Sequence, residues 1–156
     1  MKREARTILA AAIMVGAMAA VHAQEKKPLQ VQETNTEGIT AEVTEVTRKD
    51  GVLTVKTRFR NTGTKPTRMY IVGNWSDADK FYAVSGSSKM LPLRDSQKTA
   101  LMSPQDGGGS VNTEIKPGGS FLFWAKYPAP PATAKKITYM TPHTPPFEDL
   151  PITEAQ

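Results

Sequence analysis

A chain of 156 residues with no cysteine has room for one core of ordinary domain size, but it cannot build a disulfide framework or a thiolate metal centre. Its formal net charge of +5 falls to +3 once Lys2, Arg3, Arg6 and Glu4 are set aside with the amino terminus, a balance too small to imply nucleic-acid binding.

Met1 to Ala23 carries Lys2, Arg3 and Arg6, then an apolar run from Ile8 to Val21, then Val21-His22-Ala23. Those are the three parts of a secretory signal peptide, with cleavage expected after Ala23. The apolar run of fourteen residues is short for a membrane anchor, which needs roughly 20. Export without a lipid anchor is expected, because an acyl chain needs a cysteine to carry it. The destination is periplasmic or extracellular.

Residues 24 to 37 are polar, with Leu29 and Val31 as the large apolar exceptions, and predict a flexible leader. From Gly38 alternation begins. Ile39, Ala41 and Val43 share a face, but the next apolar residue is Val46, so the spacing predicts a bulge near Thr44 and Glu45. Asp50-Gly51 is a tight hairpin signal, followed by Leu53, Val55, Thr57 and Phe59 inward, with Thr54, Lys56, Arg58 and Arg60 outward.

Further strands are predicted over Thr67 to Val72, Phe81 to Val84, Met90 to Arg94 and Val111 to Ile115. Gly73 to Lys80 predicts a polar loop carrying Trp75, and Gly107-Gly108-Gly109 a flexible one. Pro117-Gly118-Gly119 launches the most apolar strand, Phe121 to Tyr127. Its period of two puts Phe121, Phe123, Ala125 and Tyr127 inside, with Leu122, Trp124 and Lys126 on the outer sheet face. Ala134 to Met140 predicts the last strand. Residues 142 to 156 predict a proline-rich tail lying on the domain or extending from it, with Pro145, Pro146 and Phe147 as one cover for Trp124 and a partner surface as the other, unless a bulge reverses the register and makes Trp124 core.

About seven short strands over residues 38 to 141, with no helical period, predict an all-β Greek-key sandwich, and a small β-barrel is the alternative. Two segments, LTVKTRFRNTGTKP and KPGGSFLFWAKYPAPPATAKKITY, followed by PPFEDLPI, resemble the immunoglobulin-like accessory domains of exported bacterial proteins. Such domains stand alone or are attached to outer-membrane peptidoglycan-binding modules. The resemblance covers most of residues 38 to 152 and rests on structural positions. Gly63 and Gly118 or Gly119 match turns, Phe59 and Phe123 match the core, and Asn61 matches a residue that caps the loop. It implies an envelope location with binding or scaffolding rather than chemistry, and this chain departs from it in having neither a lipid-bearing cysteine nor a peptidoglycan-binding module.

Catalytic residues are not expected. After residue 23 the sole histidine is His143, in a proline-rich stretch where a solvent-exposed ring is the plain reading. One histidine without cysteine cannot supply a zinc site. Asn74, Asp77 and Asp79 have calcium-like spacing but lack the glycine and the following glutamate of such loops. Gly107-Gly108-Gly109 lacks the Lys-Ser or Lys-Thr of a phosphate cradle. Glu148 and Asp149 are neighbours that point apart in extended chain, so they are not an acid and base pair.

Lys56, Arg58 and Arg60 form a cationic stripe, extended by Lys65 and Arg68, that suits a solvated outer face or an acidic partner. The expected function is an exported, non-enzymatic interaction or scaffolding module without cofactor. Its partner would be an envelope protein or polymer rather than nucleic acid, met through Trp124, Leu122, Trp75, Lys56, Arg58 and Arg60. The alternative is a small-ligand or calcium-binding protein, with Trp75, Phe81 and Tyr82 beside Asp77 and Asp79 as the cleft.

Overall fold

The computed structural model describes residues 26 to 155, so the signal sequence and its cleavage point lie outside the described residues. Two antiparallel layers enclose the core. The first holds β1 (Gln30–Glu33), β2 (Ile39–Lys49), β3 (Val52–Asn61) and β8 (Ser120–Pro128) in the order β1-β2-β3-β8. Facing it are β10 (Phe147–Pro151), β9 (Lys136–Met140), β5 (Tyr82–Ser85) and β6 (Ser88–Met90) in one sheet, with β4 (Thr67–Val72) and β7 (Val111–Ile115) in another. A two-residue strand, β11 (Thr153–Glu154), pairs in parallel with β2. The sheets do not close into a barrel, and the fold is an all-β sandwich.

Local sequence explains the first layer. Asp50 and Gly51 both have positive φ, 50° and 77°, which is the backbone that a two-residue hairpin requires. The bulge falls between Val43 and Glu45 and restores Val46 to the inner face. In β3, Leu53, Val55, Thr57 and Phe59 are buried while the residues between them are less so, and β8 alternates in the same sense. Aromatic rings join the layers: Phe123 meets Phe59 and Phe81 at 6.4 and 5.0 Å between centroids, and Tyr139 lies between Tyr127 and Phe147.

Four expectations change. Part of the leader is a strand: Gln30–Glu33 pairs with β2, because the edge of β2 is open on that side and β1 satisfies its backbone groups. The tail is also strand, since Phe147 and Leu150 are fully buried and β10 pairs with β9. The strand expected at Met90 to Arg94 ends at Met90, and Gly73 to Lys80 holds a 3-10 helix, Trp75–Lys80, capped by Asn74 Oδ1 accepting from Ser76 N.

The outer edge of β8 would be an aggregation risk if left bare. Residues 93 to 103 run along it instead. Leu93 N donates to Lys126 O, Lys126 N to Leu101 O and Ser103 N to Trp124 O, each at 2.8 to 2.9 Å.

Candidate functional site

Five of the six residues expected to meet a partner come together on the outer face of the first sheet. Lys56 stands opposite Trp124 and Arg58 opposite Leu122, while Arg60 faces Ser120. Leu122 is 50% exposed and Trp124 half-buried, with Lys126 Nζ 5.9 Å from the indole centroid. The tail does not cover Trp124, because Phe147 is drawn into the core and stacks on Tyr139.

The stripe of cations does not stand alone. Glu42, nearly buried between β1 and β3, accepts from Arg58 Nε at 2.6 Å and from Arg60 Nε at 3.1 Å. Glu45 pairs with Lys26 and Lys56 at 3.0 and 3.1 Å. Burial works against ionisation of Glu45, yet the hydrogen bonds from Lys26 and Lys56 outweigh it and hold the carboxyl below its ordinary value. The face is therefore a ladder of alternating charge rather than a cationic patch. Sequence reasoning did not assign Glu42, Glu45 or Val31 to this face, although Glu42 stands outward between Ala41 and Val43 in the same alternation that revealed Lys56 and Arg58.

Trp75 belongs elsewhere. It lies 45% exposed on the 3-10 helix with its indole against the backbone of Gly109, where a Cβ would collide with the ring. Gly109 also has φ of +77°, so the loop needs glycine there twice over. The expected aromatic and acidic cleft is not formed: Phe81 is core, and Lys89 Nζ sits 3.9 Å over the Tyr82 ring. Asp77 pairs with Lys80 and Asp79 with Arg94, both at 2.7 Å, while Asn74 is spent on its cap. Among the described residues no group of three or more His, Asp and Glu is placed to hold a metal ion.

His143 is not a solvent-exposed ring. Its Nε2 donates to Ile71 O at 2.8 Å, its Nδ1 lies 3.3 Å from Asn35 Oδ1, and its ring meets Phe59 and Phe81. Both nitrogens are engaged in fastening β4 and the turn after β1 to the C-terminal segment. A groove of about 580 Å³ lies between Thr36–Gly38 and Gly63–Thr67, lined by small polar residues with Glu37 and Lys65. Among the described residues no helix is long and apolar enough to cross a membrane. Comparison with protein families, curated proteins and solved structures returns no match to this chain.

Proposed function

We propose that the chain is an exported, non-enzymatic interaction module of the bacterial cell envelope, and that it docks through the outer face of the β1-β2-β3-β8 sheet. One observation carries this reading: Leu122, half exposed, and Trp124, half-buried, stand side by side with a fully paired charge ladder. A large apolar side chain beside organised charge is the composition of a docking surface, with an aromatic anchor and a polar surround. The engagement of His143 at both ring nitrogens supports a non-catalytic role, since a base must keep a nitrogen for its substrate.

A photo-reactive amino acid at position 122 tests the reading in cells that express and export the whole chain. The control carries it at Lys136, whose side chain is 61% exposed on the opposite layer. A discrete adduct from position 122 and none from 136 is expected. No adduct from 122, or the same adducts from both positions, would overturn the docking face.

A further inference from the structure

Towards the amino terminus the β1 ladder ends at Leu29, whose N donates to Val43 O at 2.7 Å, and Pro28 stands just outside it. The chain then turns inward over the outer face of the sheet. Lys26 O accepts from Arg58 Nη2 at 3.4 Å and Lys26 Nζ pairs with Glu45 at 3.0 Å, so the first described residue already lies over β2 and β3. In the order β1-β2-β3-β8, only β8 remains beyond it.

There Trp124 is half-buried between Leu122 and Lys126, with Lys126 Nζ 5.9 Å from the indole centroid. Lys56 has Glu45 as its partner, and Arg58 and Arg60 share Glu42. Of the cations that β3 and β8 place on this face, Lys126 alone has no carboxylate partner among the described residues. The residue before Lys26 is Glu25, with Gln24 before it. Strands lie about 4.8 Å apart and extended chain advances about 3.3 Å per residue, so these two residues span the step from β3 to β8.

From this path and this charge match we infer that the occupant of the Trp124 end of the face is the chain's own amino-terminal arm, with the Glu25 carboxylate on Lys126 and Gln24 across the indole. The inference rests on the docking face proposed above and supplies its regulation. A partner that takes Trp124 as its anchor has first to lift the arm, while Leu122, 50% exposed, stays outside it as the point of first contact. One exposed ion pair holds weakly, so the arm is a strap that opens and closes, and the open fraction sets the apparent affinity for the partner.

A carbodiimide tests the contact in the unaltered chain, purified from cells expressing all 156 residues. The reagent joins a carboxylate to a touching amine as an amide with loss of water, and peptide masses locate the link. Glu25 joined to Lys126 is expected, with the link between Glu45 and Lys26 as the control for yield. Glu25 left unlinked, or linked as often to Lys136 on the opposite layer, overturns the strap. A second measurement reads the cover: Trp75→Phe leaves Trp124 as the one indole, and Glu25→Lys in that background should raise its quenching by acrylamide about twofold. Adding Lys126→Glu restores the pair with its charges exchanged and should return the quenching to the starting level. Quenching that does not respond to Glu25→Lys overturns the cover. In cells, Glu25→Ala should raise the adduct from position 122 about twofold. An adduct from position 122 without the link from Glu25 to Lys126 leaves the docking face standing and removes the strap. The link without any adduct removes the docking face, and with it the regulation, while the arm stays on Trp124.

Discussion

Asn61 shows how much one side chain can hold at a loop. It is fully buried, its Oδ1 accepts from Gly63 N at 2.9 Å, and its Nδ2 donates to the carbonyls of Lys65 and Ile115, each at 2.7 Å. Asn61→Ala strands three backbone groups at once, and at about 1 kcal/mol or more for each the loss of stability is about 3 kcal/mol. Asn61→Asp should cost at least as much, because a carboxylate cannot donate. Urea titration checks both, and a loss below 1 kcal/mol for Asn61→Ala would mean that water takes over the bonds. Phe59→Ala is expected to cost about 3 to 5 kcal/mol from the cavity it leaves, while Lys56→Ala, whose ion pair with Glu45 is on the surface, should stay within about 0.5 kcal/mol. Equal effects in the same titration would put the register of β3 in error. These contrasts were legible in sequence because alternation is a local signal. The role of His143 was not, since its partners Ile71 and Asn35 lie 72 and 108 residues away and its proline neighbours read as solvent-facing chain.

At the scale of elements, two loops repeat one design. In Asp95 to Thr99 the aspartate Oδ1 accepts from the backbone N of Gln97 and Thr99, and Lys98 N donates to Asp95 O. Asp106 to Ser110 makes the same three bonds, with Gly109 where the first loop has Lys98. That fourth position has positive φ in both loops, 65° at Lys98 and 77° at Gly109. The left-handed backbone is costly for lysine and free for glycine, so Lys98→Gly is expected to be stabilising by about 0.5 kcal/mol despite the entropy glycine adds to the unfolded chain. Asp95→Ala should lose about 1 kcal/mol with its two caps. Thermal midpoints decide, and a marked drop for Lys98→Gly would show that the lysine stem contributes more than its backbone strain costs. Three consecutive glycines read as flexibility, and the aspartate ahead of them was the signal that organised the loop. The edge strands escaped notice for a related reason: β1 and β10 are each four or five residues long, and what makes them strands is an open neighbour rather than their own pattern.

Over the whole molecule, the two ends of the described chain share one strand. β1 pairs with the first half of β2 and β11 with its far end, on either side of the bulge. The C-terminal segment is consequently structural, and deleting residues 142 to 156 removes the buried Phe147 and Leu150 together with the His143 fastening. Burial of two such side chains is worth about 2 to 3 kcal/mol each, a large share of the 5 to 15 kcal/mol that holds an ordinary domain, so the truncated chain should lose its cooperative melt. A retained melt would show that the two layers hold without β10. At the very end the docking is electrostatic. Arg48, 7% exposed, directs its five N–H groups to the carbonyls of Pro130, Pro131 and Ala132 and to both oxygens of Glu154. The hydrogen bond from Arg48 holds the Glu154 carboxyl below its ordinary value. A carboxyl whose value is lowered by folding adds stability at pH above its unfolded value and loses that contribution as pH falls through the folded one. Glu154→Gln should therefore melt below the parent chain at neutral pH, and the gap should begin to narrow only as pH falls below the unfolded glutamate value of about 4.3, because every other carboxylate titrates alike in both. Parallel melting curves from pH 3 to 7 would mean that Arg48 is held by the three carbonyls alone, and that β11 stays on the edge of β2 without its charge.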